Sequence, residues 1–220
     1  MLANNNEAII NKLAKNSVKT NKKQYAILFF TIILSAFMLF CVFTIGMTYL
    51  NSSRLQNTRL NGAEYDIVTM NGFTSEQLNT LQQNENIRSV GIESYAGFIQ
   101  STEYDKTVEI GLLWCDEVFW DNLMSPARTK LDGHYPQNKN ELMVTKDILK
   151  TCGNENLSVG DSLILTYENN TGVYTDEFVI SGIWDGYGDT SAGFVSKAFY
   201  DETGYDLKNN GILCIKLNCN

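Results

Sequence analysis

The chain has 220 residues, of which 44% are hydrophobic and 19% are charged, and its formal net charge is −8. This composition argues against intrinsic disorder and provides for one folded domain beside a membrane segment. The charge is uneven, since residues 1–24 carry five lysines and one acid whereas residues 51–220 carry 12 basic and 24 acidic side chains. An acidic domain of this kind argues against a nucleic-acid partner, because phosphate binding requires clustered Lys and Arg.

Residues 1–24 are predicted to form a cytoplasmic amphipathic arm. On a helical wheel, an apolar stripe of Ile9, Ile10, Leu13 and Ala14 lies opposite the five lysines, which are Lys12, Lys15, Lys19, Lys22 and Lys23. This pattern is typical of a helix that lies in the inner membrane surface. The alternative is a solvated tail whose lysines only set the membrane topology.

Residues 25–50 contain no charged side chain and are long enough to cross a bilayer as one helix. Soluble core helices are rarely so uniformly apolar, and a cleaved signal peptide has a shorter apolar region followed by a small-residue cleavage site. Because flanking positive charge stays in the cytoplasm, we predict a single-pass protein of the cell membrane with a cytoplasmic N-terminus. Residues 51–60 are then a stalk, and residues 61–220 are an extracytoplasmic domain.

The extracytoplasmic domain is predicted to be α+β, because its helices and strands are mixed and adjacent strands often lack room for a crossover helix. Expected strands cover residues 65–70, 90–99, 107–113, 141–144, 162–167, 173–184 and 211–217. Expected helices cover residues 74–84, 116–124, 145–152 and 196–203, the first with Thr74 and Gln77 as a capping box. A five-residue loop is expected in the hairpin formed by strands 162–167 and 173–184.

No catalytic, cofactor or metal site is predicted from the residue pattern. The sequence lacks the phosphate-binding loop of an ATPase, so energy from ATP would have to come from a partner. The single histidine, His134, is interpreted as part of the turn from Gly133 to Pro136 rather than as a catalytic base. Asp185 and Asp189 lie in an expected flexible loop and could bind calcium, but they lack the ligand alternation of an EF-hand.

Two further groups of residues leave alternatives open. Asp116, Glu117 and Asp121 could form a paired-carboxylate site, although a solvated helix face is favoured. Cys41 is interpreted as an apolar filler of the membrane helix. The cysteines of the outer domain are Cys115, Cys152, Cys214 and Cys219. Disulfides can persist in the compartment predicted for this domain, but we favour free, buried thiols. The spacing of these cysteines does not resemble that of a zinc site.

Three segments of the outer domain carry motifs in a fixed order. Residues 132–149 read DGHYPQNKNELMVTKDIL, with the pattern G-x-x-P followed by E-hydrophobic-x-V-[ST]. Residues 158–165 read SVGDSLIL, and residues 178–184 read FVISGIW, in which Gly182 permits a bulge. With the lysine-rich arm and the membrane helix, these segments resemble the N-terminal part of an ABC transporter permease of the MacB/FtsX type.

The resemblance implies a permease subunit whose outer domain binds substrate or relays a conformational change driven by a separate ATPase subunit. It also implies a second permease subunit as a partner, and an outer domain of two lobes. One lobe would combine residues 61–115 with 195–220, and residues 116–194 would form the inserted lobe. The members of this family continue into further membrane helices after the outer domain, whereas this sequence stops at residue 220. The alternative function is a stand-alone, membrane-anchored extracytoplasmic binding or sensor protein.

Overall fold

The computed structural model describes residues 7–100, 110–187 and 192–218. It divides into two compact units, Met1–Arg54 and Leu55–Asn220, which are described separately below. The helices are α1 (Glu7–Thr20), α2 (Lys22–Asn61), α3 (Ser75–Gln82), α4 (Lys146–Thr151), α5 (Lys197–Tyr200) and α6 (Leu207–Asn210). The strands are β1 (Ile67–Thr69), β2 (Ile87–Ile99), β3 (Ile110–Cys115), β4 (Arg128–Gly133), β5 (Glu141–Thr145), β6 (Ser162–Asn169), β7 (Gly172–Gly186), β8 (Ala192–Val195) and β9 (Gly211–Leu217).

The first unit contains α1 and most of α2. No residue of α1 is buried, and its apolar side chains Ile9, Ile10 and Leu13 are 60–65% exposed. The most apolar 18-residue stretch of α2 has a mean hydropathy of 2.8 and contains no buried residue. Within the described residues, α2 is the one helix whose length and composition suffice to cross a membrane.

Two hydroxyl groups inside the apolar part of α2 are hydrogen-bonded to the helix backbone. Thr31 Oγ1 donates to the carbonyl oxygen of Ile27, and Ser35 Oγ donates to that of Thr31, each at 2.8 Å. A hydroxyl bonded one turn back along its own helix leaves little polarity exposed at the helix surface. These hydroxyls are therefore compatible with a lipid environment, in agreement with the sequence-based prediction of a membrane helix.

The second unit is a nine-stranded mixed sheet with short helices, which confirms the predicted α+β class. The strand order is β1-β9-β2-β3-β8-β5-β7-β4, and β6 additionally pairs with β2 and β7. The pairs β3–β8 and β5–β7 are parallel, and the others are antiparallel. Strand β9 lies between β1 and β2, with Val68 and Gly91 on either side of Cys214. The division of this domain into two lobes stays a prediction.

Two hydrophobic clusters cover the sheet. The first cluster includes Leu142, Ile180 and Leu213 from the strands and Ile148 and Phe199 from the short helices α4 and α5. The second cluster combines residues from the strands with a six-residue π-helix, Val118–Leu123, and its largest members are Phe119, Trp120, Met143, Trp184 and Phe194. The face of the sheet that carries this second cluster is called the second face below.

The helix caps follow the sequence-based prediction. The Thr74 side chain accepts a hydrogen bond from the backbone N–H of Gln77, and the Gln77 side chain accepts one from the N–H of Thr74. Thr145 and Ser196 cap α4 and α5 in the same way through their hydroxyl oxygens. Because each capping bond satisfies an otherwise unpaired N–H, these residues fix where the helices begin.

Several predicted elements are corrected by the structure. The hairpin loop between β6 and β7 has two residues rather than five, because Asn169 pairs directly with Gly172. The segment predicted as a flexible loop contributes Asp185 and Gly186 to the end of β7. Strands β4 and β8 and helix α6 were not predicted. Of the strand expected at residues 107–113, the first three residues lie outside the described part, and the rest belongs to β3.

Candidate functional site

The histidine that was weighed as a catalytic base has a backbone role. His134 is exposed, and its backbone N–H donates to the carbonyl oxygen of Ser181 at 2.9 Å. Its ring Nδ1 lies 3.0 Å from the carbonyl oxygen of the next residue, Tyr135. The described ring contact is thus with the backbone, and the role of His134 is to continue the pairing of β4 with β7.

The carboxylates after β3 are split between two environments. Asp116 is half-buried, and its Oδ1 accepts hydrogen bonds from the backbone N–H groups of Ile92 and Phe119 at 2.9 and 2.8 Å. Burial raises the pKa of Asp116, and these two hydrogen bonds oppose that rise. Glu117 and Asp121 are exposed. The favoured interpretation of a fully solvated face is therefore wrong for Asp116, which holds the start of the π-helix against β2.

The calcium hypothesis for Asp185 and Asp189 gains no ligand set from the described residues. Within the described ranges, no group of three His, Cys, Asp or Glu side chains is arranged to hold a metal ion. The Asp185 carboxylate accepts a hydrogen bond from the adjacent N–H of Gly186 at 3.0 Å. Asp189, its proposed partner for calcium, lies outside the described residues.

The cysteines of the described part are unpaired. Cys115 and Cys214 are buried, and Cys41 and Cys152 are partly buried. Burial raises the pKa of Cys115, Cys152 and Cys214, so these thiols stay protonated at neutral pH. Cys219 lies outside the described residues, so its state stays a prediction.

The motif segments meet on strand β7. The backbone N–H of Gly160 donates to the carbonyl oxygen of Ile180, and the N–H of Ile180 donates to that of Asp161, at 2.8 and 2.9 Å. The N–H of Val179 donates to the carbonyl oxygen of Asn140, the residue immediately before β5. Three segments that are distant in sequence are therefore joined by backbone hydrogen bonds over a short stretch of β7.

Two motif glycines, Gly133 and Gly182, lie where the end of β4 pairs with β7, and neither position has room for a side chain. Gly133 has a φ of +88° and pairs with Gly182, and a Cβ atom on Gly133 would lie 2.2 Å from the carbonyl oxygen of Ser181. A Cβ atom on Gly182 would lie 2.8 Å from the carbonyl oxygen of His134. Ser181 is bulged out of the β5–β7 register, which confirms the bulge expected at Gly182.

The glutamate of the first motif closes the turn before β5. Glu141 accepts hydrogen bonds from the backbone N–H groups of Gln137 and Asn138 and from the Asn138 side-chain amide, at 2.7–3.1 Å. Partial burial raises the pKa of Glu141, but these hydrogen bonds outweigh burial and hold it below the usual value. The motif residues thus form a junction that positions β4, β5 and β7, which is a structural role.

A buried cation joins the start of the outer domain to β9. The Lys216 side chain is 5% exposed, and its Nζ lies 3.1 Å from Glu64 Oε1 and 3.3 Å from Asp66 Oδ1. Asp66 Oδ2 also accepts a hydrogen bond from the backbone N–H of Leu217. The segment between α2 and β1 is therefore fixed to β9 by ion pairs and by a hydrogen bond from the β9 backbone to the Asp66 carboxylate. We call this arrangement the Lys216 clamp.

The last turns of α2 contact the same domain. The guanidinium carbon of Arg59 lies 3.8 Å from the centre of the Tyr187 ring, a cation–π contact with the end of β7. The backbone N–H of Glu64 donates to the carbonyl oxygen of Leu123 in the π-helix at 2.6 Å. Residues from Leu55 onward belong to the compact unit of the outer domain.

An open groove of about 690 Å³ lies beside the π-helix. Its aromatic walls include Trp114 and Trp120, and its acidic rim includes Glu117 and Asp121. The ring of Trp120 is already covered by the guanidinium of Arg128 at 4.0 Å, and that of Trp114 by the ammonium of Lys197 at 5.2 Å. The aromatic faces of the groove are thus used within the domain.

A partly buried carboxyl group, that of Glu93, lies on the second face. Glu93 of β2 lies opposite Cys115 of β3 and Ile212 of β9. Nearby, Tyr135 Oη accepts a hydrogen bond from the backbone N–H of Cys115 at 3.0 Å and donates to its carbonyl oxygen at 3.2 Å. Burial raises the pKa of Glu93 to about 7.

Glu93 and Lys216 were not singled out from the sequence. Each is a charged residue inside a strand that is otherwise mainly apolar, at a position whose alternation points inward. That mismatch is the signal that could have found them, because charged side chains are rarely buried without a specific reason.

Similarity to known proteins is found among solved structures. No protein family and no curated protein matches the sequence. The structure is similar to the extracellular domain of the noncanonic ABC-type transporter YknZ from Gram-positive bacteria, at 14% identity and a TM-score of 0.44, covering 67% of this chain and 74% of that one. The periplasmic region of MacB from Actinobacillus actinomycetemcomitans matches at 14% identity and a TM-score of 0.44, covering 69% and 73%. A domain of a protein described as a permease, from Porphyromonas gingivalis, matches at 11% identity and a TM-score of 0.44, covering 71% and 66%.

Proposed function

We propose that this chain is the N-terminal portion of a permease subunit of an ABC transporter of the MacB/FtsX type. In this proposal the N-terminus is cytoplasmic, α2 crosses the membrane, and the outer domain relays a conformational change driven by a separate ATPase subunit. A second permease subunit completes the membrane part of the transporter.

The observation that carries the proposal is the junction on β7. The three motif segments that resemble the permease family have specific backbone partners there, at Val179, Ile180 and Ser181. One local structure, the junction on β7, therefore explains why the three motif segments occur together in this sequence. This supports the family resemblance on the residues of this chain.

The Lys216 clamp favours relay over simple anchoring. A flexible tether would need no buried ion pair, whereas a relay requires that the end of α2 and the sheet move together. The contacts of Arg59 with Tyr187 and of Lys216 with Glu64 and Asp66 supply that connection. The occupied aromatic faces of the groove are a further reason to favour relay over substrate capture at that place.

Purification from native membranes tests the permease assignment. The tagged protein is extracted in mild detergent, and the co-purified proteins are identified by mass spectrometry, with an unrelated tagged single-pass membrane protein as the control. We expect an ATPase subunit to be enriched with this chain alone. Absence of any ATPase, together with no ATP-dependent phenotype on deletion, would favour a stand-alone anchored sensor.

Orientation is tested with a pair of exposed positions in intact cells. Asn11→Cys and Ser158→Cys are each treated with a thiol reagent that does not cross membranes, and labelling of the unsubstituted chain is subtracted. We expect labelling at residue 158 and none at residue 11 until the membrane is permeabilised. The reverse pattern would place the outer domain in the cytoplasm and reject the proposal.

The relay is tested on the purified complex. A fluorophore attached to Ser158→Cys reports on the outer domain while ATP is added to the ATPase subunit. We expect a change in emission that is lost when Lys216→Met is added. An unchanged emission with an active ATPase would reject relay and leave the permease assignment standing.

A further inference from the structure

The second face of the sheet is covered along only part of β2. Gly91 lies under the π-helix, since a Cβ atom there would lie 2.9 Å from Cα of Phe119. Glu93 is opposite Cys115, a member of the second cluster, and Tyr95 follows two residues further along the same face. The Tyr95 side chain is 40% exposed. Within the described ranges, the second face is therefore open to solvent from Tyr95 onward.

The open part of this face continues onto the hairpin formed by β6 and β7. The Phe98 ring stacks on that of Tyr95 with 5.3 Å between the ring centres, and Phe98 pairs with Glu168 of β6. Side chains directly opposite one another in a sheet share a face, and so does every second residue along a strand. The outward-facing side chains of the hairpin therefore belong to the same surface. We call this surface, together with Tyr95 and Phe98, the hairpin face; its hairpin residues are Ile164, Thr166, Glu168, Val173, Thr175 and Glu177.

The hairpin face exposes apolar side chains on an ordered backbone. Ile164 is 68% exposed and Val173 is 60% exposed, whereas the opposite side of β6 is buried in the first cluster. The two strands pair without interruption along β6, and Thr166 Oγ1 lies 2.8 Å from Thr175 Oγ1 across them. An exposed apolar patch with polar residues around it is typical of an interaction site. A surface that is already ordered loses little conformational freedom when a partner binds.

The charge of this surface indicates which partner it fits. Residues 151–196, which include the hairpin, carry seven acidic side chains and no Lys, Arg or His. Glu168 and Glu177 are exposed and lie on either side of the threonine pair, about 14 Å apart from the rise of the strands. No ion pair in the described part of the chain involves either carboxylate. Both are therefore available to basic side chains of a partner.

A second copy of this face and an anionic membrane surface are both poor partners. If two hairpin faces packed against each other, glutamates would face glutamates, because residues 151–196 supply no cation. Anionic lipid headgroups would be repelled by the same carboxylates. The surface is instead complementary to a polypeptide that carries Lys or Arg beside apolar side chains.

We propose that the hairpin face is a docking surface for a basic polypeptide on the same side of the membrane as the outer domain. The partner places apolar side chains against Ile164, Val173 and Tyr95, and basic side chains on Glu168 and Glu177. The opposite charges steer the encounter and set the orientation, whereas the apolar side chains supply contact area. This docking does not depend on the permease assignment.

Site-specific photocrosslinking in intact cells tests the docking. In the full chain, p-benzoylphenylalanine replaces Ile164 or Val173, and it replaces Leu131 of β4 as a matched control, since that side chain is also apolar and 43% exposed. After irradiation, the crosslinked peptides are identified by mass spectrometry. We expect products at residues 164 and 173 and none at residue 131. The attached peptide should come from another polypeptide and carry a net positive charge.

Charge variants distinguish this contact from general attraction to an acidic domain. Glu168→Gln combined with Glu177→Gln should lower the crosslinking yield at residue 164 about threefold or more, because two ion pairs are lost. Glu76→Gln combined with Glu85→Gln removes the same charge from exposed positions outside the hairpin face and should leave the yield unchanged. Glu168→Asp combined with Glu177→Asp keeps both charges and should retain most of the yield.

Three results would overturn the proposal. The first is the absence of a product at residues 164 and 173. The second is a product with lipid, with a second copy of this chain or with an acidic peptide. The third is a yield that does not distinguish the two double glutamine variants, because the contact would then owe nothing to Glu168 and Glu177.

Discussion

Replacing Gly133 by alanine should weaken the outer domain much more than the same change at Gly160. Both glycines have positive φ angles, +88° and +95°, so an alanine is strained at either position. A Cβ atom at Gly160 has nothing within 4 Å, whereas one at Gly133 would lie 2.2 Å from the carbonyl oxygen of Ser181. The two substitutions therefore share the conformational cost and differ in the backbone contact.

The magnitude follows from these two contributions. A non-glycine residue with left-handed backbone costs about 1–2 kcal/mol, and the smaller entropy of the unfolded alanine chain offsets roughly 0.4–1 kcal/mol of that cost. The net destabilisation for Gly160→Ala is therefore about 1 kcal/mol. At Gly133, β4 must also move away from β7, which breaks the hydrogen bond from His134 N–H to Ser181 and adds about 1–3 kcal/mol.

Urea unfolding of the full chain in detergent measures this difference. The tryptophans, Trp114, Trp120 and Trp184, all lie in the outer domain, so their fluorescence reports its unfolding. We expect the midpoint for Gly133→Ala to fall below that for Gly160→Ala by an amount equivalent to at least about 1 kcal/mol. Equal midpoints would show that the close approach at Ser181 is not what requires glycine at residue 133.

The remaining predictions concern charges. Glu64→Gln combined with Asp66→Asn should lower the free energy of unfolding by about 3 kcal/mol or more, because it leaves the buried Lys216 ammonium unpaired. Lys216→Met should lower it by only about 1 kcal/mol, since both carboxylates are roughly one-third exposed and stay hydrated. The reverse order of the urea midpoints would contradict this reasoning. Because the pKa of Glu141 is lowered, its stabilisation is present above pH 4.5 and lost as pH falls further, so Glu141→Gln should flatten the acid limb of thermal stability.

Most of the helices and strands could be predicted because the residues that determine them are close together in the sequence. Thr74 with Gln77, and the hydroxyls of Thr145 and Ser196, identify helix starts through bonds to residues three positions away. Strand β9 was predicted with its full extent, since an apolar run between turn residues leaves little alternative.

The missed elements depend on partners that are distant in sequence. Strand β4 is almost entirely exposed along its length and exists because β7 pairs with it, and β8 is a four-residue strand held between β3 and β5. The hairpin loop was overestimated because polar residues at 168–169 looked like loop although they pair with Val173 and Gly172. Register of this kind is set by the partner strand, which a local pattern does not contain.

The candidate site was the least predictable part. Local patterns emphasised His134 and the acidic residues after β3, whose described contacts are largely with the backbone. Glu93 and Lys216 acquire their significance only when strands β2 and β9 are adjacent and their inward positions can be compared. Burial of a charge is a property of the assembled sheet, so no single segment could reveal it.

The position of β9 between β1 and β2 has a consequence for biosynthesis. Among the described strands, β1 pairs with β9 alone, and β2 is bordered by β9 on one side. Until the ribosome has released residues 211–217, β1 therefore has no partner and β2 has an unpaired edge. Pairing of strands so far apart in the chain is slow, and open edges attract other chains. The nascent domain should thus depend on a chaperone until β9 is available, and premature termination before residue 211 should yield an aggregating or degraded product rather than a smaller functional domain.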